Sequence, residues 1–200
     1  VLSKKVSGLN IGPGVDNLDM GPLNSSPQRD RIVGLIQDGV DQGATILVDG
    51  RRHASYQQPG FYLGGTLFDN VKPGMSIYDE EIFGPVLCLV RVKTATDAMR
   101  IINDNQYGNG ACIFTRDGYS ARTYANEVEA GMVGINVPLP VPVANHSFGG
   151  WKDSRFGDLA AYGPDGVRFY TRRKTITERW SSAADGQGID FAFPGSRSAV

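Results

Sequence analysis

The chain has 200 residues, of which 40% are hydrophobic and 20% are charged, and its formal net charge is −1. This composition is typical of a soluble globular protein and excludes a disordered chain. No apolar run approaches the roughly 20 residues that span a bilayer, and a charge balance without a positive excess disfavours nucleic acid as a partner.

Residues 25–43 are predicted to form the first long helix. Ser25 or Ser26 can cap its N-terminus, and Gly43 is a suitable stop. The apolar residues that recur at helical spacing are Ile32, Val33, Leu35, Ile36 and Val40.

The chain continues as predicted strands and helices in alternation. The predicted strands are residues 44–48, 61–68, 86–92, 110–115 and 132–136. The first, third and fourth have the composition of buried strands, and the run VLCLVRV is typical of a strand covered on both faces. One helix begins at Thr94 or Thr96 and ends near Asn105, and another is capped by Asp117 and ends at Gly131. This order indicates a parallel αβ sheet with right-handed crossovers.

The last third of the chain departs from this alternation. Three prolines in residues 137–142 exclude a helix and a central strand there. Residues 167–180 are predicted to form a basic strand. Its basic side chains are Arg168, Arg172, Arg173, Lys174 and Arg179. Such charges protect an exposed sheet edge, although the same edge could pair with another subunit. Residues 181–200 are predicted to be a weakly ordered tail.

An acidic loop is the first candidate for a functional site. Asp79, Glu80 and Glu81 precede the strand predicted at residues 86–92, and Phe83 follows them. Polar residues at strand ends line the ligand crevice of parallel αβ sheets. A carboxylate there could accept hydrogen bonds from ribose hydroxyls, and the phenylalanine could pack on a flat ring. A solvated acidic loop without a ligand is the alternative interpretation.

The cysteines and histidines offer weaker candidates. Cys88 and Cys112 lie in apolar strand patterns without a thiolate-stabilising neighbour, so both are interpreted as structural. Two cysteines are too few for a disulfide scaffold and form no metal-ligand pattern, which favours a reduced, intracellular setting. His53 lies in a polar loop, whereas His146 lies near the proline-rich loop and could touch a ligand.

Five short motifs resemble those of the aldehyde dehydrogenase family and occur in the family's order. They are DMGPL at residues 19–23, EEIFGPV at 80–86, YGNG at 107–110, GMVGIN at 131–136 and FGGWKDS at 148–154. Each motif is weak alone, but together they are highly specific. The VPLPVP run, the FGGWKDS motif and the FYT segment that leads to KTIT resemble the methylmalonate-semialdehyde dehydrogenase branch. Arg155 stands where many family members have glycine, and we interpret it as a feature of this branch.

The resemblance implies an α/β fold and assigns a role to each part of the chain. Residues 1–162 would form the C-terminal part of the catalytic domain with its parallel αβ sheet. Residues 163–180 would be a C-terminal oligomerisation strand, and residues 181–200 a tail. Glu81 would bind the nicotinamide-side ribose of NAD, and Phe83 would pack beside the nicotinamide.

The resemblance also implies a substrate pocket and a covalent reaction. Residues 138–148 would wall the aldehyde pocket, with Pro140, Val141 and Phe148 as its pocket residues. The nucleophilic cysteine would lie upstream of Val1, so the chain alone is expected to be inactive, and no metal is expected. The cysteine would attack methylmalonate or malonate semialdehyde, hydride would pass to NAD, and the acyl group would lose carbon dioxide and be transferred to coenzyme A.

Alternative functions remain open from the sequence. The chain could belong to another aldehyde dehydrogenase that releases a free acid, or it could be an inactive assembly partner. A nucleic-acid role for the basic strand is a further, less favoured hypothesis. The resemblance implies a homo-oligomer, a tetramer in the family, located in the bacterial cytoplasm or the mitochondrial matrix, without a membrane partner.

Overall fold

A computed structural model describes residues 1–143 and 145–178 of the chain. The helices are α1 (Leu2–Ser7), α2 (Ser26–Asp41), α3 (Ser76–Asp79), α4 (Ala95–Asp104), α5 (Gly118–Glu127) and α6 (Pro164–Tyr170). The strands are β1 (Thr45–Val48), β2 (Thr66–Asp69), β3 (Val86–Cys88), β4 (Tyr107–Gly108), β5 (Gly110–Ile113), β6 (Met132–Ile135) and β7 (Trp151–Lys152). In the described residues, none of the helices is long and apolar enough to cross a membrane.

Helix α2 forms as its sequence predicts and builds the larger core. The Ser25 hydroxyl accepts a hydrogen bond from the backbone N–H of Gln28 at 3.4 Å, which satisfies a free donor of the first turn. Ile32 and Ile36 are fully buried on the face that packs against β2 and the segment around α3. Gly43 follows with φ +92°, a conformation that favours glycine.

Strand β2 lies at the centre of a three-stranded sheet. It pairs antiparallel with β1 and parallel with β3, and all four of its residues are buried. Strand β1 is only half-buried, which corrects the prediction of a buried strand over residues 44–48.

The prediction of a strand over residues 86–92 that is covered on both faces is wrong. Strand β3 has only three residues, and Leu87 is 45% exposed. The chain then follows β2 irregularly, because the Leu89 N–H donates to the carbonyl oxygen of Phe68 at 2.9 Å. The other edge of β3 has no strand partner among the described residues.

The second half of the chain forms two small sheets that are separate from the first. Thr94 caps α4 and Asp117 caps α5, each by accepting a hydrogen bond from a backbone N–H three residues on, as predicted. Strand β5 precedes α5 in the chain and β6 follows it, and the two strands pair in parallel. Tyr124 of α5 and Val128, which follows the helix, are buried.

The expected single sheet is therefore divided in the described residues. Strand β3 pairs with β2, whereas β5 pairs with β6, and a two-stranded sheet joins β4 to β7. Strand β5 is half-buried, not buried as predicted. The α/β character and the parallel pairing are as predicted, but the described residues form no single sheet that contains all of these strands.

The C-terminal segment begins as a helix where a strand is predicted. Gly163 has φ +62°, and Pro164 then takes the first position of α6, where its missing N–H costs nothing. Residues 171–178 have no regular structure, so the prediction of a basic edge strand from residue 167 is wrong for the described part. Arg179 and the predicted tail lie outside the described residues. The assignment of residues 163–180 to oligomerisation stays a prediction.

Candidate functional site

The acidic loop between α3 and β3 presents the two predicted cofactor residues to solvent. Ile82 is buried and anchors the loop in the larger core. Glu81 and Phe83 flank it on the outside, and the Phe83 ring is 77% exposed. An exposed phenylalanine beside a buried anchor leaves a flat apolar surface free for a ligand.

Side chains of α2 hold the backbone of this loop. Arg31 Nη1 donates to the carbonyl oxygen of Ile82 at 3.0 Å, and its Nη2 donates to that of Glu81 at 3.1 Å. Arg31 Nη2 also lies 3.2 Å from a carboxylate oxygen of Glu80. Gln28 Nε2 donates to the carbonyl oxygen of Phe83 at 3.2 Å. Three consecutive carbonyls are thus fixed from one face of the helix.

The backbone at Phe83 adopts a conformation that is unusual for a side chain of this size. Its φ is +52°, in the left-handed region that bulky residues rarely occupy. Such a conformation costs about 1–3 kcal/mol and persists where the surroundings impose it. The hydrogen bonds from α2 are part of those surroundings, and the turn directs the ring away from the core.

The Glu81 carboxylate lines an open cleft of about 420 Å³. The cleft is lined by Tyr78, Asp79, Glu80, Glu81, Tyr107, Asn109, Asp153 and Ser154. Among the described residues, the Glu81 carboxylate has no hydrogen-bond or ion-pair partner, so both oxygens are available as acceptors. The described residues contain no group of three or more His, Cys, Asp or Glu side chains suited to a metal ion.

The FGGWKDS segment supplies the opposite side of this cleft. The Ser154 hydroxyl accepts a hydrogen bond from the backbone N–H of Gly108 at 3.1 Å. Lys152 Nζ binds the carbonyl oxygens of Asn103 and Asn105 at the end of α4 and lies 3.0 Å from a carboxylate oxygen of Glu129. A cation at a helix C-terminus is stabilised by the free carbonyls there. These contacts fix the segment beside the cleft.

The predicted substrate residues make their contacts outside the lining of this cleft. Pro140 packs over β5 and β6, where an added Cβ at Gly110 would lie 3.0 Å from its ring. Val141 is exposed, and Phe148 stacks on Tyr162 with ring centroids 4.8 Å apart. None of these three residues lines the cleft at Glu81.

Neither cysteine has the environment of a nucleophile. Burial raises the pKa of the Cys88 thiol to about 11, and its sulfur lies 3.5 Å from the carbonyl oxygen of Ile77. Cys112 lies between β6 and the proline-rich loop, with its sulfur 3.7 Å from the carbonyl oxygen of Pro138. This arrangement agrees with the structural role predicted for both. His53 caps a short helical turn by accepting from the Ser55 N–H.

The sequence interpretation did not identify Gln28, Arg31 or Lys152. Gln28 and Arg31 lie three residues apart and so share a helix face, a signal visible in the sequence. Their partners, however, lie about fifty residues further along the chain. The packing of Ile32 and Ile82 in one core brings the helix and its partners together.

Comparison with known proteins shows extensive similarity. The sequence profile of the aldehyde dehydrogenase family matches residues 1–176. The malonate-semialdehyde dehydrogenase of Pseudomonas aeruginosa is 59% identical over 195 residues, which are 96% of this chain and 39% of that protein. Malonate-semialdehyde dehydrogenase 2 of Bacillus thuringiensis is 44% identical over 180 residues, covering 90% of this chain and 37% of that protein. The chain spans about two fifths of the length of these relatives.

Solved structures show the same similarity in three dimensions. The crystal structure of methylmalonate-semialdehyde dehydrogenase from Oceanimonas doudoroffii matches with a TM-score of 0.87 and 55% identity, covering 91% of this chain and 38% of that one. The Mycobacterium tuberculosis aldehyde dehydrogenase complexed with NAD⁺ matches with a TM-score of 0.78 and 34% identity, covering 86% of this chain and 35% of that one. These matches confirm the predicted α/β fold class.

Proposed function

Because the chain belongs to the aldehyde dehydrogenase family, we propose that it is part of an NAD-dependent, coenzyme A-acylating dehydrogenase of malonate or methylmalonate semialdehyde. The observation that carries this proposal is the 59% identity to a malonate-semialdehyde dehydrogenase across 96% of the chain. Coenzyme A as co-substrate, the semialdehyde substrate and the products acetyl-CoA or propionyl-CoA all belong to the proposal.

The acidic loop fits the nicotinamide half of NAD. The two free oxygens of the Glu81 carboxylate are suited to the adjacent hydroxyls of a ribose, because each hydroxyl is a donor. The exposed Phe83 ring offers a flat surface for the neighbouring aromatic ring. When bound, NAD would take the hydride of the aldehyde carbon. The chain's contribution would be to orient the cofactor through Glu81 and Phe83.

The proline-rich segment fits one wall of the aldehyde pocket. Pro140 is held against β5 and β6, and Phe148 is held by its stack on Tyr162 and by the bond from the Ser147 hydroxyl to the Tyr162 carbonyl oxygen at 2.8 Å. Both present apolar surface that would exclude water from the reacting aldehyde. Val141 would complete this wall.

The covalent step would use a cysteine outside the 200 residues of this chain. A nucleophilic cysteine requires a stabilised thiolate, whereas the Cys88 thiol, with its pKa of about 11, is protonated at neutral pH. The other partners of the reaction, including the groups that stabilise the oxyanion, would also come from outside. We therefore expect no turnover from these residues alone.

We also propose that residues 163–180 make contacts between the subunits of a soluble homo-oligomer.

A chimeric enzyme tests the proposal. The matching segment of the Pseudomonas aeruginosa malonate-semialdehyde dehydrogenase is replaced by this chain, and NADH formation is measured with malonate semialdehyde and methylmalonate semialdehyde, with and without coenzyme A. The proposal expects NADH and an acyl-CoA product that depend on coenzyme A. The unmodified relative is the positive control, and the isolated chain should give no NADH.

The other outcomes separate the alternative functions. NADH formed with a free acid as the product, irrespective of coenzyme A, would favour a hydrolytic aldehyde dehydrogenase. A folded chimera of the correct size that forms no NADH would contradict the catalytic proposal and favour an assembly partner. Turnover by the isolated chain would overturn the assignment of the nucleophile to another segment.

A further inference from the structure

Arg31 contacts three successive residues of the acidic loop. The guanidinium donates to the carbonyl oxygens of Glu81 and Ile82 and pairs with the Glu80 carboxylate. We infer that Arg31 is a positioning residue of the cofactor site, which holds Glu81 and Phe83 in the orientation that binds the dinucleotide. This inference rests on the proposed function, because that function assigns NAD to Glu81 and Phe83.

The loop depends on these side-chain contacts because its own backbone gives it few others. The N–H of Glu80 still bonds to Ser76, and the carbonyl of Pro85 accepts from the N–H of Thr66 at 2.8 Å. Among the described residues, the carbonyls of Glu81, Ile82 and Phe83 accept no backbone hydrogen bond. Arg31 and Gln28 donate hydrogen bonds to these three carbonyl oxygens instead.

An arginine suits this task better than a lysine. Its planar fork presents several N–H donors at fixed angles, so that one side chain can hold two successive carbonyls and a carboxylate. A lysine ammonium is a single point charge on a flexible stem and cannot reproduce this geometry. Gln28, one helical turn earlier, extends the same row of donors to the Phe83 carbonyl.

The same contact distributes the charge of the loop. The guanidinium neutralises the Glu80 carboxylate at 3.2 Å, whereas the neighbouring Glu81 carboxylate has no partner among the described residues. Arg31 thereby separates the two acids into one that is paired and one that is free to accept hydroxyl groups. Without it, two adjacent unpaired carboxylates would repel each other and broaden the range of loop conformations.

The test is a double-mutant cycle on NAD binding by the chimeric enzyme that carries this chain, with the chimera of the unchanged chain as the wild type. The dissociation constant for NAD is measured by fluorescence titration for the wild type, Arg31→Met, Arg31→Lys, Glu81→Gln and the double variant Arg31→Met/Glu81→Gln. Unfolding by urea is followed for each variant. Arg29→Met is the matched control, because Arg29 lies on the same helix and binds the Gly60 carbonyl at 3.1 Å, away from the loop.

We expect Arg31→Met to weaken NAD binding about tenfold, because the loop loses two charge-assisted hydrogen bonds. Arg31→Lys should retain part of the affinity that Arg31→Met loses. In the Glu81→Gln background, Arg31→Met should have a much smaller effect, because its target is already altered. Arg29→Met should lower stability without changing the affinity. If Arg31→Met fails to fold, Gln28→Leu replaces it and should weaken binding by a smaller factor.

Wild-type affinity in Arg31→Met would overturn the inference, and so would an equal loss in the wild-type and Glu81→Gln backgrounds. Equal losses from Arg31→Met and Arg29→Met would also overturn it, since they would show a general effect of destabilising α2. A wild-type protein that does not bind NAD, or an unchanged affinity in Glu81→Gln, would instead show that the proposed function itself fails.

Discussion

Gly84 lies so close to Ile32 that a Cβ added to the glycine would be 2.4 Å from the Cδ1 atom of Ile32. Ile32 is fully buried in α2, so it has no room to move aside. Glycine at this position therefore lets the acidic loop lie directly on the helix that carries Gln28 and Arg31. The short distance between helix and loop is a condition for their hydrogen bonds.

We expect Gly84→Ala to destabilise the protein by about 1–3 kcal/mol, the range observed when extra atoms are forced into a packed core. The free energy of unfolding in urea measures this change. Gly34→Ala on the same helix is the control, since nothing lies within 4 Å of its added Cβ. Alanine there should be stabilising by about 0.5–1 kcal/mol, because glycine is unfavourable within a helix. Similar values for both variants would contradict the close contact.

The sequence predicts what depends on local chemistry. The caps Ser25, Thr94 and Asp117 are confirmed, because a capping side chain bonds only to its own first turn. The resemblance to the aldehyde dehydrogenase family, drawn from five motifs, is confirmed as well. The placement of Glu81 and Phe83 on one exposed loop follows from a single continuous motif, although their binding of NAD stays a prediction.

The sequence does not predict what depends on distant partners. A run such as VLCLVRV contains the apolar residues of a long strand, but β3 has only three residues, which pair with residues 66–68 of β2. Residues 167–170 have strand-like composition, yet Pro164 starts a helix that includes them. The contacts of Arg31 arise from tertiary packing, which a periodic pattern in one helix cannot specify.

The ion pair between Asp69 and Arg91 should make stability depend on pH. Both guanidinium contacts to the carboxylate are 2.7 Å long, and the hydrogen bond from Arg91 lowers the pKa of Asp69 below its ordinary value of 3.8. A lowered folded-state pKa adds stability above the unfolded-state pKa, and this stability is lost as the pH falls through the folded-state value.

We therefore expect Asp69→Asn to be less stable than the wild type at pH 6, with the difference shrinking as the pH falls below about 4. Urea unfolding at a series of pH values measures the difference. Asp38→Asn is the control for the loss of one charge, because the Asp38 carboxylate has no partner among the described residues. A difference for Asp69→Asn that stays constant down to pH 2 would exclude a pKa-linked contribution from the pair.

Lys152 should stabilise the segment that forms one side of the cleft. It joins the end of α4 to the FGGWKDS segment by binding two carbonyl oxygens and the Glu129 carboxylate. We expect Lys152→Met to lower the free energy of unfolding by about 1–3 kcal/mol, because two partly buried carbonyls lose their donor. Hydrogen exchange should become faster at Gly108, whose N–H bonds to Ser154. Unchanged exchange there would show that the segment is held by other contacts.

The Cys88 thiol should react slowly with iodoacetamide in the folded protein. The reagent attacks the thiolate, and burial raises the pKa of this thiol to about 11. At pH 8 the thiolate fraction of a group with that pKa is about one in a thousand. Mass spectrometry of labelled peptides measures the rate, and the same chain unfolded in urea provides the reference. Equal rates in the folded and unfolded chain would show that Cys88 is accessible and ionised, and would reopen its role as a nucleophile.

The proline-rich and C-terminal segments should drive association of the isolated chain. Their large apolar side chains are exposed, among them Leu139, Val141, Phe156 and Tyr170. We interpret these exposed side chains as surface that another chain or segment covers. In the chimeric enzyme, the remainder of the relative should cover the pocket wall at Leu139 and Val141.

We therefore expect the isolated chain to bind a hydrophobic dye and to associate with rising concentration, whereas the chimera binds less dye per chain. Leu139→Ser should reduce dye binding by the isolated chain, and the exposed polar substitution Gln58→Ser, far from these segments in sequence, should not. Equal dye binding by the isolated chain and the chimera would show that this surface stays open in the larger protein, and the assignment of Val141 to an enclosed aldehyde pocket would then fail.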